Sequence, residues 1–227
     1  MKPFSHMLVP SAFGTLLLLW RDTPEGPKII RVLLPRDGNA SEEMLRVLRE
    51  GGPARSRPEI RAWTGRITRF LEGEDIAFPL GILALETCSD FQQRVLRAEH
   101  AIPRGSVSTY GRIAAHLGAP GAARAVGSAL AGNPFPIFVP CHRAIRSNME
   151  LGGYQGGISM KRALLELEGL EVSPEGKVIT DSVYYSRAEQ TLSRCSRIDK
   201  ARTDRSRPTP ERRITTAAGG SRDPPER

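Results

Sequence analysis

Cysteine is scarce in this chain. Cys88, Cys141 and Cys195 are the only three in 227 residues, too few and too scattered for the disulfide frame of small secreted domains. A reducing interior is therefore expected. Long apolar runs are also missing: the longest covers residues 16–20, or 12–20 if Gly14 and Thr15 are allowed, against roughly 20 residues for a membrane-spanning helix. Behind Lys2 that run could pass for the apolar part of a signal peptide. Arg21, Asp22, Thr23 and Pro24 follow it, however, where small residues of a cleavage site belong. It reads as a buried strand. No pair of cysteines or histidines has metal-ligand spacing, so no zinc site is expected.

What is present is the composition of a folded chain, 39% hydrophobic and 26% charged, long enough for one large domain or two small ones with a tail. The formal net charge is +8, an excess that favours polyanionic partners, either nucleic acid or an acidic membrane surface. Its distribution weakens the point. Residues 187–227 hold eleven cations and six acids, a net +5, which leaves only +3 for residues 1–186. Charge alone does not establish nucleic-acid binding.

Along the chain, runs 12–20 and 28–34 flank the turn-forming cluster 22–27 and read as an antiparallel strand pair. Asn39, with Glu42 three residues on, resembles a capping box opening a helix to about residue 50. Pro58 suits the start of a second helix, whose apolar face is Ile60, Trp63, Ile67, Phe70 and Leu71. An extended stretch then runs to about residue 85. Residues 1–86 thus read as a small α/β domain with a core and no obvious chemistry. Beyond it, Ser89 or Asp90 caps a helix carrying Phe91, Val95 and Leu96. Ser108 caps the next, about 109–117, and a turn at 118–121 leads to a third, 122–131. Two short helices across a glycine turn fit a helix-turn-helix, or an ordinary helical hairpin. The apolar segment 134–140 reads as buried and extended. A glycine-rich loop, 152–157, precedes a last helix, 158–168. From about residue 187 no periodic apolar pattern survives, and a disordered tail is expected.

Cys141 stands at the end of the proline-stiffened segment, with His142 adjacent and the glycine loop close behind. A free cysteine is often only a small buried hydrophobe. As a nucleophile it needs a base or a positive setting, because the ordinary thiol is mostly protonated at neutral pH. Neighbours on an extended chain point to opposite faces, so a water between Cys141 and His142 is the natural proton path unless the chain turns there. The imidazole's other nitrogen then needs an acceptor. Helix 122–131 is nearly all small residues with one long cation, Arg124. A sequence reader presents several Arg, Asn or Gln to base edges. A bald helix with one projecting Arg suits close approach to a duplex and insertion of a single side chain, although Val126 and Leu130 also fit plain helix packing.

Residues 91–169 resemble the O6-alkylguanine-DNA alkyltransferase family, the methylated-DNA–protein-cysteine methyltransferases. The matching stretches are Ile102-Pro103-Arg104-Gly105 with Ser108-Thr109-Tyr110; Arg124-Ala125-Val126-Gly127; Gly132-Asn133-Pro134; Val139-Pro140-Cys141-His142-Arg143; Gly152-Gly153-Tyr154; and residues 164–169. The resemblance implies a ribonuclease-H-like α/β domain with a small antiparallel sheet over 1–86. It implies a mainly α-helical catalytic and DNA-binding domain with a helix-turn-helix over 87–172, and a C-terminal extension over 173–227. It implies that Cys141 is the alkyl acceptor, His142 the base acting through water, Glu168 the carboxylate that orients His142, Asn133 the brace of the active-site turn, and Tyr110 a proton donor to the flipped guanine. Arg124 would fill the gap the base leaves, with Ala123, Ala125, Gly127 and Ser128 against the minor groove. Tyr154, Gln155, Val139 and Pro140 would form the lesion pocket. Glu168 also fits a solvated last-turn residue, and Tyr110 a packing aromatic. Gln155 stands where some members have serine, and the N-terminal zinc ligands of some members are absent. A non-catalytic branch carries tryptophan at the cysteine position, which here is Cys141.

The implied reaction is in-line attack of the Cys141 thiolate on the alkyl carbon of O6-alkylguanine in double-stranded DNA, after rotation of the nucleotide out of the stack. O4-alkylthymine is left open as a further lesion. The thioether product has no electrophilic carbonyl for water to attack, so the protein acts once and needs no cofactor. A monomer is expected, with cooperativity on DNA left open. The expected location is the cytoplasm at the nucleoid, or the nucleus of a eukaryotic cell, with no membrane partner. Two rivals remain: an alkylated-DNA sensor without transfer, and a small-molecule thiol hydrolase or transferase, which would leave the bald helix unexplained.

Overall fold

In the computed structural model of the chain, residues 4–50 and 53–185 are described. The chain opens with three antiparallel strands, β1 (Ser5–Val9), β2 (Leu16–Thr23) and β3 (Gly26–Leu33), in the order β1-β2-β3. The middle strand is the apolar run noted above. Its Leu16, Leu18 and Trp20 enter the main core, while Leu17 and Leu19 pack with Leu33 and Met44 on the opposite face. A strand covered on both faces needs no polar alternation. Helices α1 (Glu42–Glu50) and α2 (Pro58–Leu71) follow. Strand β1 was not foreseen, and its edge is met by residues 53–55 through the His6 amide to Pro53 O at 3.3 Å.

Several local expectations need correction. Ser41, not Asn39, caps α1: its hydroxyl accepts from the Met44 amide at 3.2 Å. The stretch that ends near residue 85 is not extended throughout, because a 3-10 turn at Leu80–Ile82 interrupts it, with a second, Leu85–Thr87, at its end. Helix α3 (Asp90–His100) is capped by Ser89 as expected. Ser108 lies in a short strand, β4 (Ser108–Thr109), and the cap of α4 (Tyr110–His116) is Thr109. A hydroxyl one residue further on reaches the Arg112 amide at 3.2 Å. Helix α5 (Ala123–Ala131) packs on α4 and α3. Strand β5 (Ala144–Ile145) pairs with β4 in parallel. Helix α6 (Gly157–Leu167) and the hairpin β6 (Glu171–Val172) and β7 (Val178–Ile179) complete the order.

One main core runs from Val9 of β1 to Leu164 of α6, so both sequence halves bury side chains in it. The halves also share backbone hydrogen bonds: Val32 N–H donates to Pro134 O at 2.8 Å. Residues 182–185 lie along β4, where Tyr184 N–H donates to Val107 O at 2.7 Å and Tyr185 Oη donates to Ala98 O at 2.8 Å. The expected tail from residue 187 lies outside the described residues. No helix among the described residues is long and apolar enough to cross a membrane.

Candidate active site

The segment before Cys141 is buried, as its composition demands, but it is a tight turn rather than an extended strand. Val139 N–H donates back to Phe135 O at 2.8 Å, and Ile137 has φ +75°. A β-branched residue in the left-handed region costs on the order of 1–3 kcal/mol and persists only where its surroundings over-determine it. Here they do. Asn133 Oδ1 accepts from the Phe135 amide at 2.9 Å, and its Nδ2 donates to Val139 O at 3.2 Å. Phe138 is wedged against Phe78 (ring centroids 4.8 Å apart) and Trp63 (6.3 Å), contacts worth about 0.5–1.5 kcal/mol each beyond burial.

The turn delivers Cys141, His142 and Arg143 on a single 3-10 turn, so the chain does bend where an extended backbone would have separated the first two. Asn133 Nδ2 also donates to Cys141 Sγ at 3.2 Å. Burial pushes the thiol up to about 11, with the Asn133 bond acting against that rise. The resting sulfur is therefore protonated. His142 is fully buried, and desolvation lowers its pKa despite the attraction of Glu168. A neutral imidazole facing a carboxylate at 2.8 Å from Nε2 donates its N–H there. That leaves Nδ1 as the basic lone pair, and Nδ1 has no hydrogen-bond partner among the described residues.

Glu168 is placed by the way α6 ends. Gly169 takes φ +88°, its amide donates to Glu166 O at 2.9 Å, and Leu170 N–H reaches Leu165 O at 3.0 Å. This paired closure needs a left-handed residue just past the cap, and glycine adopts it without a Cβ clash. Glu168, the capping residue, is buried rather than solvated. Arg143 grips it with Nε to Oε2 at 2.8 Å and Nη2 to Oε1 at 2.7 Å, and donates Nη1 to Ile102 O at 2.5 Å. Desolvation opposes ionisation of this carboxyl, but His142 and Arg143 outweigh it and hold its pKa down to about 2.

In front of Cys141 lies an open cavity of about 440 Å³. Tyr110, Gly127, Tyr154 and Gln155 line it together with the sulfur, and so does Arg146, which the sequence reading did not single out. Val139 and Pro140 are buried but are not among its lining residues. Gln155 has its amide nitrogen on Ala131 O at 3.0 Å and Asn133 O at 2.8 Å, tying the glycine loop to the end of α5. Tyr154 stands edge-on to His142 with centroids 6.3 Å apart, and its hydroxyl is buried without a hydrogen bond to the described residues. On α5, Val126 and Leu130 point to the core, Ala123 and Gly127 are half-buried, and Arg124, Ala125 and Ser128 are exposed. No hydrogen bond or ion pair to the described residues restrains Arg124.

Two buried charged residues behind the turn were missed, Glu99 and Lys161, both fully buried. The signal was available. Glu99 lies four residues after Val95 and three after Leu96, on the apolar face of α3, and Lys161 lies four before Leu165 on α6. Among the described residues no group of three His, Cys, Asp or Glu could hold a metal.

Residues 90–170 match the family model described as 6-O-methylguanine DNA methyltransferase, DNA binding domain. The methylated-DNA–protein-cysteine methyltransferase of Methanothermobacter thermautotrophicus is 48% identical over 111 residues, 49% of this chain and 61% of that protein's length. The protein of the same name from Mycobacterium tuberculosis is 41% identical over 152 residues, 65% of this chain and 88% of the relative. A crystal structure of Mycobacterium tuberculosis OGT in complex with DNA superposes with a TM-score of 0.55 at 36% identity, covering 73% of this chain and 91% of that one.

Proposed function

The chain belongs to the methylated-DNA–protein-cysteine methyltransferase family, and from that membership we propose that it repairs DNA by moving an alkyl group from O6-alkylguanine onto its own Cys141. The observation that carries the reading is the juxtaposition of a buried His142–Glu168 pair at 2.8 Å, a thiol on the same turn, and an open cavity of about 440 Å³ in front of the sulfur.

In this reading α5 lies in the minor groove of a duplex, its small exposed residues allowing close approach and Arg124 occupying the space of a nucleotide swung into the cavity. Extrusion costs a few kcal/mol, least for a damaged base, and phosphate contacts supply affinity that falls with salt. The Cys141 proton passes through water to His142 Nδ1, and Glu168 stabilises the resulting imidazolium. A thiol pushed to about 11 holds its proton at rest, so transfer to His142 is coupled to arrival of the lesion. The thiolate sulfur then bonds to the alkyl carbon as the carbon–O6 bond breaks. The electron pair leaves with guanine, which takes a proton from Tyr110. Asn133 braces the sulfur, and Tyr154 and Gln155 shape the lesion pocket over a wall backed by Val139 and Pro140. The thioether is stable to water, so each molecule acts once. The proposed setting is a monomer on double-stranded DNA, in the cytoplasm or nucleus.

The test is incubation with duplex DNA containing O6-methylguanine, followed by peptide mass analysis. Gain of one CH2 on the Cys141 peptide, absent in Cys141→Ser, is expected. Tight binding with an unmodified protein would convert the reading to a lesion sensor, and repeated turnover of a small ester without DNA would convert it to a hydrolase.

A further inference from the structure

Glu99 and Lys161 sit behind the reactive turn and take no part in the steps above. Both side chains are fully buried, on α3 and α6 respectively. Lys161 Nζ donates to Ala144 O at 2.6 Å and reaches Gly153 O at 3.4 Å, so it clips the residue after Arg143 to the glycine loop that walls the cavity. Neither oxygen of Glu99 makes a hydrogen bond of normal geometry to the described residues. The Lys161 and Arg143 cations and the Ala144 amide each favour its ionised form, but burial outweighs them. A fully buried carboxyl without good partners has strong reason to keep its proton.

We propose that Glu99 and Lys161 form a charge-setting pair for Cys141: with Glu99 protonated, the Lys161 cation is unneutralised and favours the thiolate, and ionisation of Glu99 withdraws that help. Glu99 is thus a positioning residue for charge. The charged and titratable groups facing it are Lys161 from α6, Arg143 and Cys141 from the reactive turn, and Tyr110 from α4. Burial raises Glu99 to about 8 and lowers Lys161 to about 8, so the two titrate as a coupled pair. Below that window the pair carries +1, and through it the charge falls by way of zero to −1. Both partners act on the sulfur in the required sense, Glu99 raising the thiol pKa and Lys161 lowering it.

The inference rests on Cys141 being the alkyl acceptor, and its test is independent of DNA. Iodoacetamide alkylation of Cys141 in the full-length protein is followed by mass from pH 6 to pH 9.5, with the Cys88 and Cys195 peptides resolved separately. In Glu99→Gln the pair's charge stops at zero instead of reaching −1. The ratio of variant to parent rates should therefore climb from about one at pH 6 to about ten at pH 9.5, the effect of roughly one unit in thiol pKa. A ratio constant across the range overturns the proposal. Glu99→Leu makes the same prediction should the glutamine variant fail to fold. Failure of the parent to accept a methyl from DNA would sink the alkyl-transfer reading while leaving this ratio measurable.

Discussion

Replacing Glu168 by glutamine should destabilise the protein in a way that depends on pH. The carboxylate accepts two bonds from Arg143 and one from His142, with its side chain only 1% exposed. An amide retains one acceptor oxygen and points an NH2 at a guanidinium that then lacks its counter-charge. Removing one member of a buried pair costs about 3–5 kcal/mol. Linkage gives a second route to the size. The folded pKa is about 2, against an ordinary value of 4.5, and at 1.36 kcal/mol per pKa unit the depression contributes about 3 kcal/mol. A depressed carboxyl stabilises the fold fully above its unfolded pKa, and that contribution is lost as pH falls through 4.5 toward 2. Urea unfolding of parent and Glu168→Gln at pH 7 should differ by about 3 kcal/mol, and the gap should shrink steadily as pH is lowered below 4.5. A gap of the same size at pH 7 and pH 3 would refute the assignment of Glu168 as an ionised buried anchor.

Gly152→Ala should lower stability by about 1–2 kcal/mol, since the residue has φ +69° and a Cβ would sit 3.1 Å from Tyr110 Oη; thermal melting checks this, and the crowded Tyr110 should also slow alkyl transfer. Arg124→Ala should slow transfer from duplex DNA about tenfold or more, because holding a flipped nucleotide is worth a few kcal/mol. Transfer from the free alkylated nucleoside should be unchanged. Equal losses on both substrates would remove the proposed role.

The elements that could be read from the residues were those set by local chemistry. The Leu16–Trp20 run, the Pro58 start, the Ser89 cap and the bald α5 each follow from a few adjacent side chains, and the structure contains all four. Misreadings arose where a long-range partner decides. Residues 134–140 look extended by composition, yet Asn133 and the Phe78–Trp63–Phe138 cluster fold them into a turn with Ile137 at positive φ. In the site, the motif Pro140-Cys141-His142-Arg143 was legible. The grip of Arg143 on Glu168 was not, because it joins residues 25 positions apart. For Glu99 and Lys161 side-chain type argues for solvent while their place on the apolar faces of α3 and α6 argues for burial, and burial holds.

The hydrogen bond from Val32 N–H to Pro134 O also bears on how the chain emerges from the ribosome. Strand β3 is complete at Leu33, but the carbonyl that occupies this part of its outer edge is synthesised about a hundred residues later. At roughly 5–20 residues per second that interval lasts about 5–20 s, during which an apolar strand offers unpaired amides to any neighbouring chain. Nascent copies on crowded polysomes are thus most open to mispairing before the reactive turn exists, and slowing translation between codons 34 and 134 should lower soluble yield more than slowing it later.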